Sequence, residues 1–407
     1  MKKIIALLLC CTLIVACTDT KRYAPKEGRL TVFEAKVPTL AKGTVNTDTA
    51  QTISSWPLPF YNLQNKQPHF TMNQNTELWS KKIGYPTTVS RLLPTPIVID
   101  DTMYVLDGRN ELIKLNTTNG ELVWQHKISD DKIGLSLAYS DGKIFTLSTD
   151  GLLTAFDTDG KQLWQKDFAV ATRAPIAVDK NGIYLLTTHN QFIVLNPKTG
   201  KEMWRYRTTQ PQTLLTNMAP IAKSKGILVV PFATGEVMAF DADSGLLLWI
   251  QMMVGNRPQD LTEVPQIAAA PVIEGDTVYL SGHANFSGAH ALKTGETKWT
   301  VNFGTALTPI INGNTLFMLT TQNELVALDK KTGKAFWLKV YKPEGKAWKS
   351  ISLVNNELLL SDGEHLLYIN PKDGTKIRFE KKNVNALPLV INGHLILMDE
   401  KTNLTFY

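Results

Sequence analysis

The stretch Leu328-Asp329-Lys330-Lys331-Thr332-Gly333, followed after three residues by Trp337, carries the pattern that decides the fold. The same step of four residues from Gly to Trp occurs six times. The pairs are Gly120 and Trp124, Gly160 and Trp164, Gly200 and Trp204, Gly245 and Trp249, Gly295 and Trp299, and Gly333 and Trp337. Because a unit repeated at intervals of about 40 residues marks a repeat architecture, we predict similar structural units from residue 75 onward.

Short strands precede each Gly-to-Trp turn. In one unit the apolar runs 316–319 and 325–328 flank a polar turn at 321–323, which is the pattern of paired antiparallel strands. A proline opens most units, and proline suits the start of a strand because it lacks an N–H group. These prolines are Pro96, Pro175, Pro220, Pro271, Pro309 and Pro388. Each unit therefore supplies about four strands, the last of which carries the Trp.

A four-stranded sheet of this kind cannot bury both of its faces alone, so the units must stack. Radial stacking into a propeller achieves this and leaves only short sheet edges. A buried indole removes ~150–250 Å² from water, so the recurring Trp is the predicted dock between neighbouring blades. The predicted docking residues are Trp79, Trp124, Trp164, Trp204, Trp249, Trp299 and Trp337.

The units number eight, because an eighth slot follows Gly374 and contains Arg378 in place of Trp. The chain ends at residues 403–407 with the opening strands of a unit but without its turn or Trp strand. The missing strand is present at the other end, in residues 76–82 around Trp79. We therefore predict an all-β, eight-bladed β-propeller of four-stranded antiparallel blades, its ring closed by N- and C-terminal strands.

The N-terminus predicts export. Lys2 and Lys3 precede the apolar stretch 4–15, which is too short for a stable transmembrane anchor. The sequence Ile14-Val15-Ala16-Cys17 looks like a bacterial lipobox, in which a small residue precedes the cysteine that is acylated. Thr18 is not the Asp that tends to retain lipoproteins at the inner membrane, so an outer-membrane anchor facing the periplasm is expected. Ordinary secretion is the alternative.

Three segments follow from these patterns. Residues 1–16 are predicted to be a lipoprotein signal peptide, and residues 56–407 the propeller. Residues 17–55 are predicted to be a lipidated tether, because they lack strand periodicity and are rich in Thr, Lys and Pro.

Composition excludes several classes of protein. All three cysteines lie at or before position 17, so no disulfide is expected in the fold. The net charge of +6 falls to +4 once Lys2 and Lys3 leave, and no basic run exists, which argues against nucleic-acid binding. No His-Glu-x-x-His or Gly-x-Ser-x-Gly motif occurs. We therefore expect no catalytic residues, no metal site and no cofactor.

The Asp-x-x-Thr-Gly-x-x-x-Trp turns resemble the Trp-docking repeats of the quinoprotein superfamily of eight-bladed propellers. Together with the lipobox, residues 56–407 resemble the BamB family, the propeller lipoproteins of the outer-membrane β-barrel assembly machinery. The resemblance implies a non-catalytic scaffold that binds the periplasmic domains of BamA and meets other subunits of the machinery as a monomer. It also implies a role in the insertion of outer-membrane proteins.

Two intervals between Trp residues are longer than most: 45 residues from Trp204 to Trp249, and 50 from Trp249 to Trp299. The extra residues lie in the connections 205–218 and 251–267, which are expected on one face of adjacent blades. Long loops on a rigid scaffold often carry binding residues. The interval after Trp79 is also 45 residues long, so neutral insertion is an alternative.

The BamB family binds BamA through two such loops, and the resemblance carries over only in part. Its first loop has Leu-x-Leu-Arg before Ala-Pro, whereas this chain has leucines but no arginine before Ala219-Pro220. Its second loop is matched loosely by residues 260–263, with the arginine displaced upstream. The implied partner-binding residues are Leu214, Leu215, Asn256, Arg257, Asp260, Leu261 and Glu263.

Two other functions are compatible with the same fold. A dehydrogenase that uses pyrroloquinoline quinone is the first, but the mature chain has no adjacent cysteine pair of the kind those enzymes place beside the cofactor. The second is an envelope scaffold with a different partner, such as a cell-wall component. In the sequence, only the two long loops, 205–218 and 251–267, can distinguish this hypothesis from a role in barrel assembly.

Overall fold

A computed structural model describes residues 39–73, 76–87, 94–211, 218–253, 267–283, 286–345, 347–384 and 387–407. All the regular structure in these residues is β-strand, arranged in eight antiparallel sheets. None of the described residues forms a helix long and apolar enough to cross a membrane. The eight-bladed β-propeller predicted from the repeats is confirmed.

The first four blades are blade 1 (β1 Ser55–Trp56, β3 Ile97–Ile99, β4 Thr102–Leu106, β5 Glu111–Asn116, β6 Leu122–Lys127), blade 2 (β7 Gly134–Ser140, β8 Lys143–Ser148, β9 Leu152–Asp157, β10 Gln162–Asp167), blade 3 (β11 Ala177–Val178, β12 Ile183–Leu186, β13 Gln191–Leu195, β14 Glu202–Arg207) and blade 4 (β15 Ala222–Ser224, β16 Ile227–Pro231, β17 Glu236–Asp241, β18 Leu247–Met252).

The remaining blades are blade 5 (β19 Val272–Glu274, β20 Thr277–Ser281, β21 Ser287–Ala291, β22 Thr297–Val301), blade 6 (β23 Ile310–Asn312, β24 Thr315–Leu319, β25 Glu324–Asp329, β26 Ala335–Val340), blade 7 (β27 Ser350–Val354, β28 Glu357–Ser361, β29 His365–Ile369, β30 Lys376–Lys381) and blade 8 (β31 Leu389–Ile391, β32 His394–Met398, β33 Asn403–Phe406, β2 Trp79–Lys82).

Strands from both ends of the chain close the ring. β2 is the outer strand of blade 8 and pairs antiparallel with β33, with Trp79 opposite Phe406 and Lys82 opposite Asn403. The indole of Trp79 stacks on the ring of Phe406, with centroids 5.4 Å apart. The predicted closure is therefore confirmed. Blade 1 differs from the predicted four strands, because β1 adds a fifth strand beside β3.

A turn that ends in glycine precedes the outer strand of blades 1 to 7, and the Asp-x-x-Thr-Gly sequence forms this turn in blade 6. In blade 6 the Asp329 carboxylate accepts hydrogen bonds from the Thr332 backbone N–H at 2.8 Å and from its hydroxyl at 2.9 Å. The next residue, Gly333, has a φ of 70°, a left-handed conformation that glycine adopts without steric cost. The motif therefore specifies the direction in which the outer strand leaves the turn.

Each docking Trp packs on the turn glycine of the following blade. A Cβ built on Gly295 would lie 2.7 Å from Trp249 Cγ, and a Cβ on Gly333 would lie 2.7 Å from the indole of Trp299. The indole N–H groups of Trp249 and Trp299 donate to backbone carbonyls in that next turn, at 2.8 Å to Leu292 and 3.0 Å to Lys330. Two separate reasons thus require glycine at this position of the turn. Its backbone is in the left-handed conformation, and a side chain would overlap the indole that packs on it.

Blade 7 has Arg378 in the Trp slot, and the closure of the ring supplies the reason. The following blade has no turn between its third strand, β33, and its outer strand, β2, because β2 comes from the N-terminal part of the chain and does not follow β33 in sequence. An indole at position 378 would therefore have no turn glycine to dock on. Arg378 instead lies over the Tyr368 ring at 3.5 Å and pairs with Glu357 at 2.5 Å and Glu380 at 3.1 Å.

Gly295→Ala tests the indole dock. Its matched control is Gly275→Ala in the same blade, because Gly275 also has a positive φ, 60° against 74°, but has nothing within 4 Å of an added Cβ. We expect the control to lower the free energy of unfolding by about 1 kcal/mol. We expect Gly295→Ala to lower it by a further ~1–3 kcal/mol, because the new methyl group overlaps Trp249. Urea unfolding of both variants measures the difference; equal losses would contradict the dock.

Candidate functional site

The two ends of the disc carry different parts of each blade. In an antiparallel blade, the turn between the first and second strands lies at the same end as the turn between the third and outer strands. We call this the turn end. The opposite end, the loop end, carries the remaining turn of each blade and the connections between blades. The two long connections predicted to bind a partner belong to the loop end.

At the turn end, residues 44–73 follow a nearly circular path over the inner strands, and we call this segment the belt. Its backbone or side chains contact blade 6 through Asn314 and Asn312, blade 8 through Asn392, blade 1 through β3, and blade 2 through Tyr139. It continues over blade 3 through Leu58 and Leu63, then contacts blades 4, 5 and 7 before it returns to blade 8. The belt therefore contacts every blade.

Asn65 joins two blades through one side chain. It is buried, and its Nδ2 donates hydrogen bonds to the carbonyls of Ile221 in blade 4 and Pro271 in blade 5, both at 3.0 Å. Its φ of 53° is left-handed, which Asn tolerates better than most residues. Asn65 thus satisfies two buried carbonyls that no local partner reaches.

An ion-pair network continues this contact. Glu274 of blade 5 accepts from Lys66 of the belt at 2.6 Å and from Lys330 of blade 6 at 2.5 Å. Burial raises the pKa of the Glu274 carboxyl, but the hydrogen bonds from Lys330 and Lys66 outweigh burial and hold the pKa below its usual value. The carboxylate therefore stays charged at neutral pH and links the belt to two blades.

The belt also closes on itself at blade 7. Gln51 forms a parallel bridge with Phe70, and Phe70 in turn bridges Val354. Beside them, the buried His69 ring lies 2.7 Å from the Asp48 carbonyl through Nδ1, and its Nε2 accepts from the Asn356 N–H at 2.8 Å. These bonds fix a neutral tautomer in which Nδ1 carries the proton. The two ends of the belt are thereby joined over one blade.

The belt begins earlier than the predicted start of the propeller at residue 56. Within the predicted tether, Val45 is buried in the core between blades 6 and 7, and the Asn46 N–H donates to Asn314 Oδ1 at 2.8 Å. Residues 39–41 also lie along the turn end of blade 6. Periodicity could not reveal this segment, because each of its contacts is made once. The aromatic residues Trp56 and Phe70, both fully buried, were the available signal.

The belt fills the centre of the turn end. Trp56 and Phe70 stack with ring centroids 5.5 Å apart inside the core shared with blades 1, 7 and 8. A pocket between the belt and blade 3, lined in part by Leu58, Ile176 and Pro220, has room for about one water molecule. The belt therefore covers part of the turn end with buried aromatic side chains.

The bases of the two long loops meet on one turn of blade 4. At the first loop, the Thr209 carbonyl accepts from Asn190 Nδ2 at 2.8 Å, and the same amide group donates to Thr234 Oγ1 at 3.1 Å. At the second loop, the Met253 N–H donates to the Gly235 carbonyl at 2.8 Å. Since Thr234 and Gly235 are adjacent, both loops start from the same rigid support.

Buried residues hold the far side of each loop. Met218 ends the first loop, and Ile267 ends the second; both are buried in the cores that flank blade 4. The Met218 N–H donates to the Arg173 carbonyl at 3.4 Å. Each loop is therefore fixed at both ends, at the same edge of the disc.

The predicted partner-binding residues lie between these bases and outside the described residues. They are Leu214 and Leu215 in the first loop, and Asn256, Arg257, Asp260, Leu261 and Glu263 in the second. The predicted lipidation site, Cys17, also lies outside the described residues. Their roles stay predictions.

Among the described residues, no group of three His, Cys, Asp or Glu side chains could hold a metal ion. The sequence Asp241 to Gly245 forms the blade turn, where Asp241 Oδ1 accepts from the Ser244 N–H at 2.8 Å. His290 is buried in a strand, and burial lowers the pKa of its imidazole. These polar groups are therefore parts of turns and strands.

Comparison with known families matches residues 29–137 and 131–339 to the family described as outer membrane protein assembly factor BamB. An uncharacterised protein of Rickettsia prowazekii is 24% identical over 356 residues, covering 82% of this chain and 84% of that protein. BamB of Nitrosomonas eutropha is 22% identical over 244 residues, covering 59% of this chain and 58% of that protein.

Solved structures share the fold. BamB from Moraxella catarrhalis superposes with a TM-score of 0.68 at 16% identity, over 81% of this chain and 98% of that one. Quinohemoprotein alcohol dehydrogenase from Comamonas testosteroni has the same TM-score at 12% identity, over 88% of this chain and 81% of that one. At such identities, the likeness establishes the propeller architecture but does not establish a function.

Asn65→Asp tests the belt. The substitution keeps the shape of the side chain but places carboxylate oxygen against the carbonyls of Ile221 and Pro271. We expect it to lower the free energy of unfolding by about 3 kcal/mol, because two buried acceptors lose their donor. Asn62→Asp is the control, since the Asn62 side chain bonds to Lys66 within the belt and not to a blade. Urea unfolding should show a loss of about 1 kcal/mol there; similar losses for both variants would argue against a link between blades.

Proposed function

Because the chain belongs to the family of the outer membrane protein assembly factor BamB, we propose that it is a non-catalytic scaffold of the outer-membrane β-barrel assembly complex. Its role is to bind the periplasmic domains of BamA and to assist the insertion of outer-membrane proteins. It acts as a monomer within the complex, alongside the other assembly subunits.

The observation that carries the proposal is the shared base of the two long loops. Asn190 Nδ2 bonds both Thr209 of the first loop and Thr234, Met253 of the second loop donates to Gly235, and the far ends of both loops are buried in the adjacent cores. Long loops that start from a regular scaffold often carry binding residues. The belt supports the assignment further, because it occupies the centre of the opposite end.

The partner contact itself is proposed for residues in the loops. Leu214 and Leu215 supply the apolar part of the first loop, and Arg257 and Asp260 supply charge from the second. Asn256, Leu261 and Glu263 complete the candidate set. The first loop lacks the arginine of the family pattern, so the charged part of the contact rests on the second loop.

The proposed location is the periplasmic side of the outer membrane, with acyl chains on Cys17 as the anchor. Each buried methylene contributes ~0.8 kcal/mol to membrane binding, so several acyl chains hold the protein at the membrane.

The quinone-dependent dehydrogenase is not proposed, although the Comamonas testosteroni enzyme has the same fold. Cys10 and Cys11, the only adjacent cysteines, lie in the predicted signal peptide. In addition, the belt packs Trp56 and Phe70 into the axial core at the turn end. Neither feature favours a cofactor pocket on the axis.

The combined variant Leu214→Asp, Arg257→Glu and Asp260→Lys tests the partner contact. We expect it to abolish co-purification with BamA from crosslinked envelopes, because it adds charge to the apolar part and reverses both charges of the second loop. If these residues serve the partner contact and not the fold, its thermal unfolding should match that of the wild type.

The control exchanges the charges of an exposed ion pair at the turn end. Lys225 and Asp276 are 2.6 Å apart, and Lys225→Glu with Asp276→Lys preserves the pair in reversed order. This control should co-purify with BamA as the wild type does. Co-purification of the loop variant at the wild-type level would refute the site.

Cys17→Ala tests the anchor. We expect the variant to incorporate no labelled palmitate and to leave the outer-membrane fraction, because the acylated thiol is absent. Cys11→Ala should keep both the label and the fractionation of the wild type, since Leu9 and Cys10 before it do not form a lipobox. Label in the Cys17 variant, or its loss from the Cys11 variant, would show that the anchor is misassigned.

A further inference from the structure

The outer strands of the eight blades differ in the side chains they turn toward solvent. We compare three positions on each outer strand, called the outward positions because they alternate with the docking residue and lie on the opposite face of the strand: the residue before the docking position, the residue after it, and the residue three after it. In most blades this row includes polar or charged residues, which protect a sheet edge from unwanted strand pairing.

Six rows are of this protected kind, all of them in the described part of the chain. They are Val123, Gln125 and Lys127 in β6; Leu163, Gln165 and Asp167 in β10; Met203, Arg205 and Arg207 in β14; Lys298, Thr300 and Asn302 following β22; Ile377, Phe379 and Lys381 in β30; and Leu78, Ser80 and Lys82 at β2.

Only β18 and β26 have apolar residues at all three outward positions. In β18 these are Leu248, Ile250 and Met252, which are 43%, 47% and 50% exposed. Leu246, just before this strand, is 67% exposed. The longest run of exposed apolar side chains on the described surface therefore lies along one unprotected edge strand.

The second such strand, β26, already carries an extended segment on its edge. Residues 39–41 run parallel to it, with Leu40 opposite Ala335. The Ala41 N–H donates to the Ala335 carbonyl at 2.8 Å, and the Ala335 N–H donates to the Thr39 carbonyl at 3.0 Å. Ala335 is only 1% exposed as a result. An extended segment thus pairs with the outer edge of blade 6 at one residue, Ala335.

Leu247 occupies the position in β18 that Ala335 occupies in β26. Both residues lie at the start of their strand, directly before a β-bulge. Leu247 pairs with Phe240, and Ala335 pairs with Leu328. Leu247 is 41% exposed, and among the described residues β18 pairs with β17 alone. The position that is paired with an extended segment in blade 6 therefore has no such pairing in blade 4 within the part of the chain that the structure describes.

We propose that β18 binds an extended segment of another polypeptide, which pairs with its edge at Leu247 and covers the apolar row from Leu246 to Met252. The segment has apolar side chains at alternate positions, because every second residue of an added strand faces the same side as Leu248 and Ile250. Met252 lies next to the base of the second loop at Met253, so this surface continues toward the proposed partner site.

Alternating apolar side chains over about ten residues are the pattern of strands destined for a membrane barrel. The occupant is therefore an unfolded strand of an outer-membrane protein, an identification that rests on the proposed function. The scaffold would then hold a client at blade 4 while the loops at the same blade hold the partner. The strand binding itself depends only on the edge and its apolar row.

Fluorescence anisotropy of a labelled peptide tests the proposal with the full mature chain in detergent. The probe is about ten residues long and alternates apolar and polar side chains; a second peptide has the same composition with the apolar residues grouped together. We expect the alternating peptide to bind, and Ile250→Lys to weaken binding by about tenfold or more, because a charge on the edge opposes strand pairing.

Gln125→Lys is the matched control, since it adds the same charge at the equivalent position of β6. It should bind as the wild type does, and so should the triple loop variant, which separates this proposal from the BamA contact. Met252→Lys replaces Ile250→Lys if the latter unfolds. Equal binding of both peptides, or unchanged binding by the β18 variants, would overturn the proposal. So would light scattering that shows a dimer lost in Ile250→Lys, because β18 would then bind a second copy.

Discussion

The packing of an indole on the turn glycine of the next blade is the constraint on which the rest of the structure depends. The contact fixes the distance and angle between blades, because a Cβ on Gly295 or Gly333 would overlap the indole. Repeated around the ring, it produces a closed disc from sheets that could not bury their own faces. The antiparallel pairing of β2 with β33 then joins the first strand after the belt to the last strand of the chain.

The belt adds a second closure of different chemistry. The docks are local and nearly identical, whereas the belt uses individual polar contacts, such as the two carbonyls bound by Asn65 and the carboxylate shared by Lys66 and Lys330. Because the belt contacts every blade, separation of any neighbouring pair would disturb it. A disc held in both ways is a well-connected support for the bases of the two long loops.

The structure also assigns different tasks to different parts of the surface. The turn end is occupied at its centre by the belt, and the loop end carries the long connections. Blade 4 contributes most to the proposed contacts, since its turn supports both loops and its outer strand has the open apolar edge. Membership of the BamB family is the basis for assigning a scaffold function to this arrangement. The two loop sequences differ from the family pattern, and these differences are particular to this chain.

The sequence by itself determined the architecture, because its signals are periodic: the Gly-to-Trp step, the opening prolines and the divided last unit specify eight blades and their closure. It placed the two long loops but could not show that their bases share the turn at Thr234 and Gly235. The belt was assigned in part to a tether, because its contacts join residues as far apart as His69 and Asn356, 287 positions along the chain, and none repeats. Likewise, the absence of Trp at position 378 is explained only by the missing turn in blade 8, and only the structure shows that β18, among the described strands, pairs with β17 alone. Repeated local patterns can be recognised in the sequence alone. Contacts that occur once join residues far apart in the chain, so they become visible only in the folded ring.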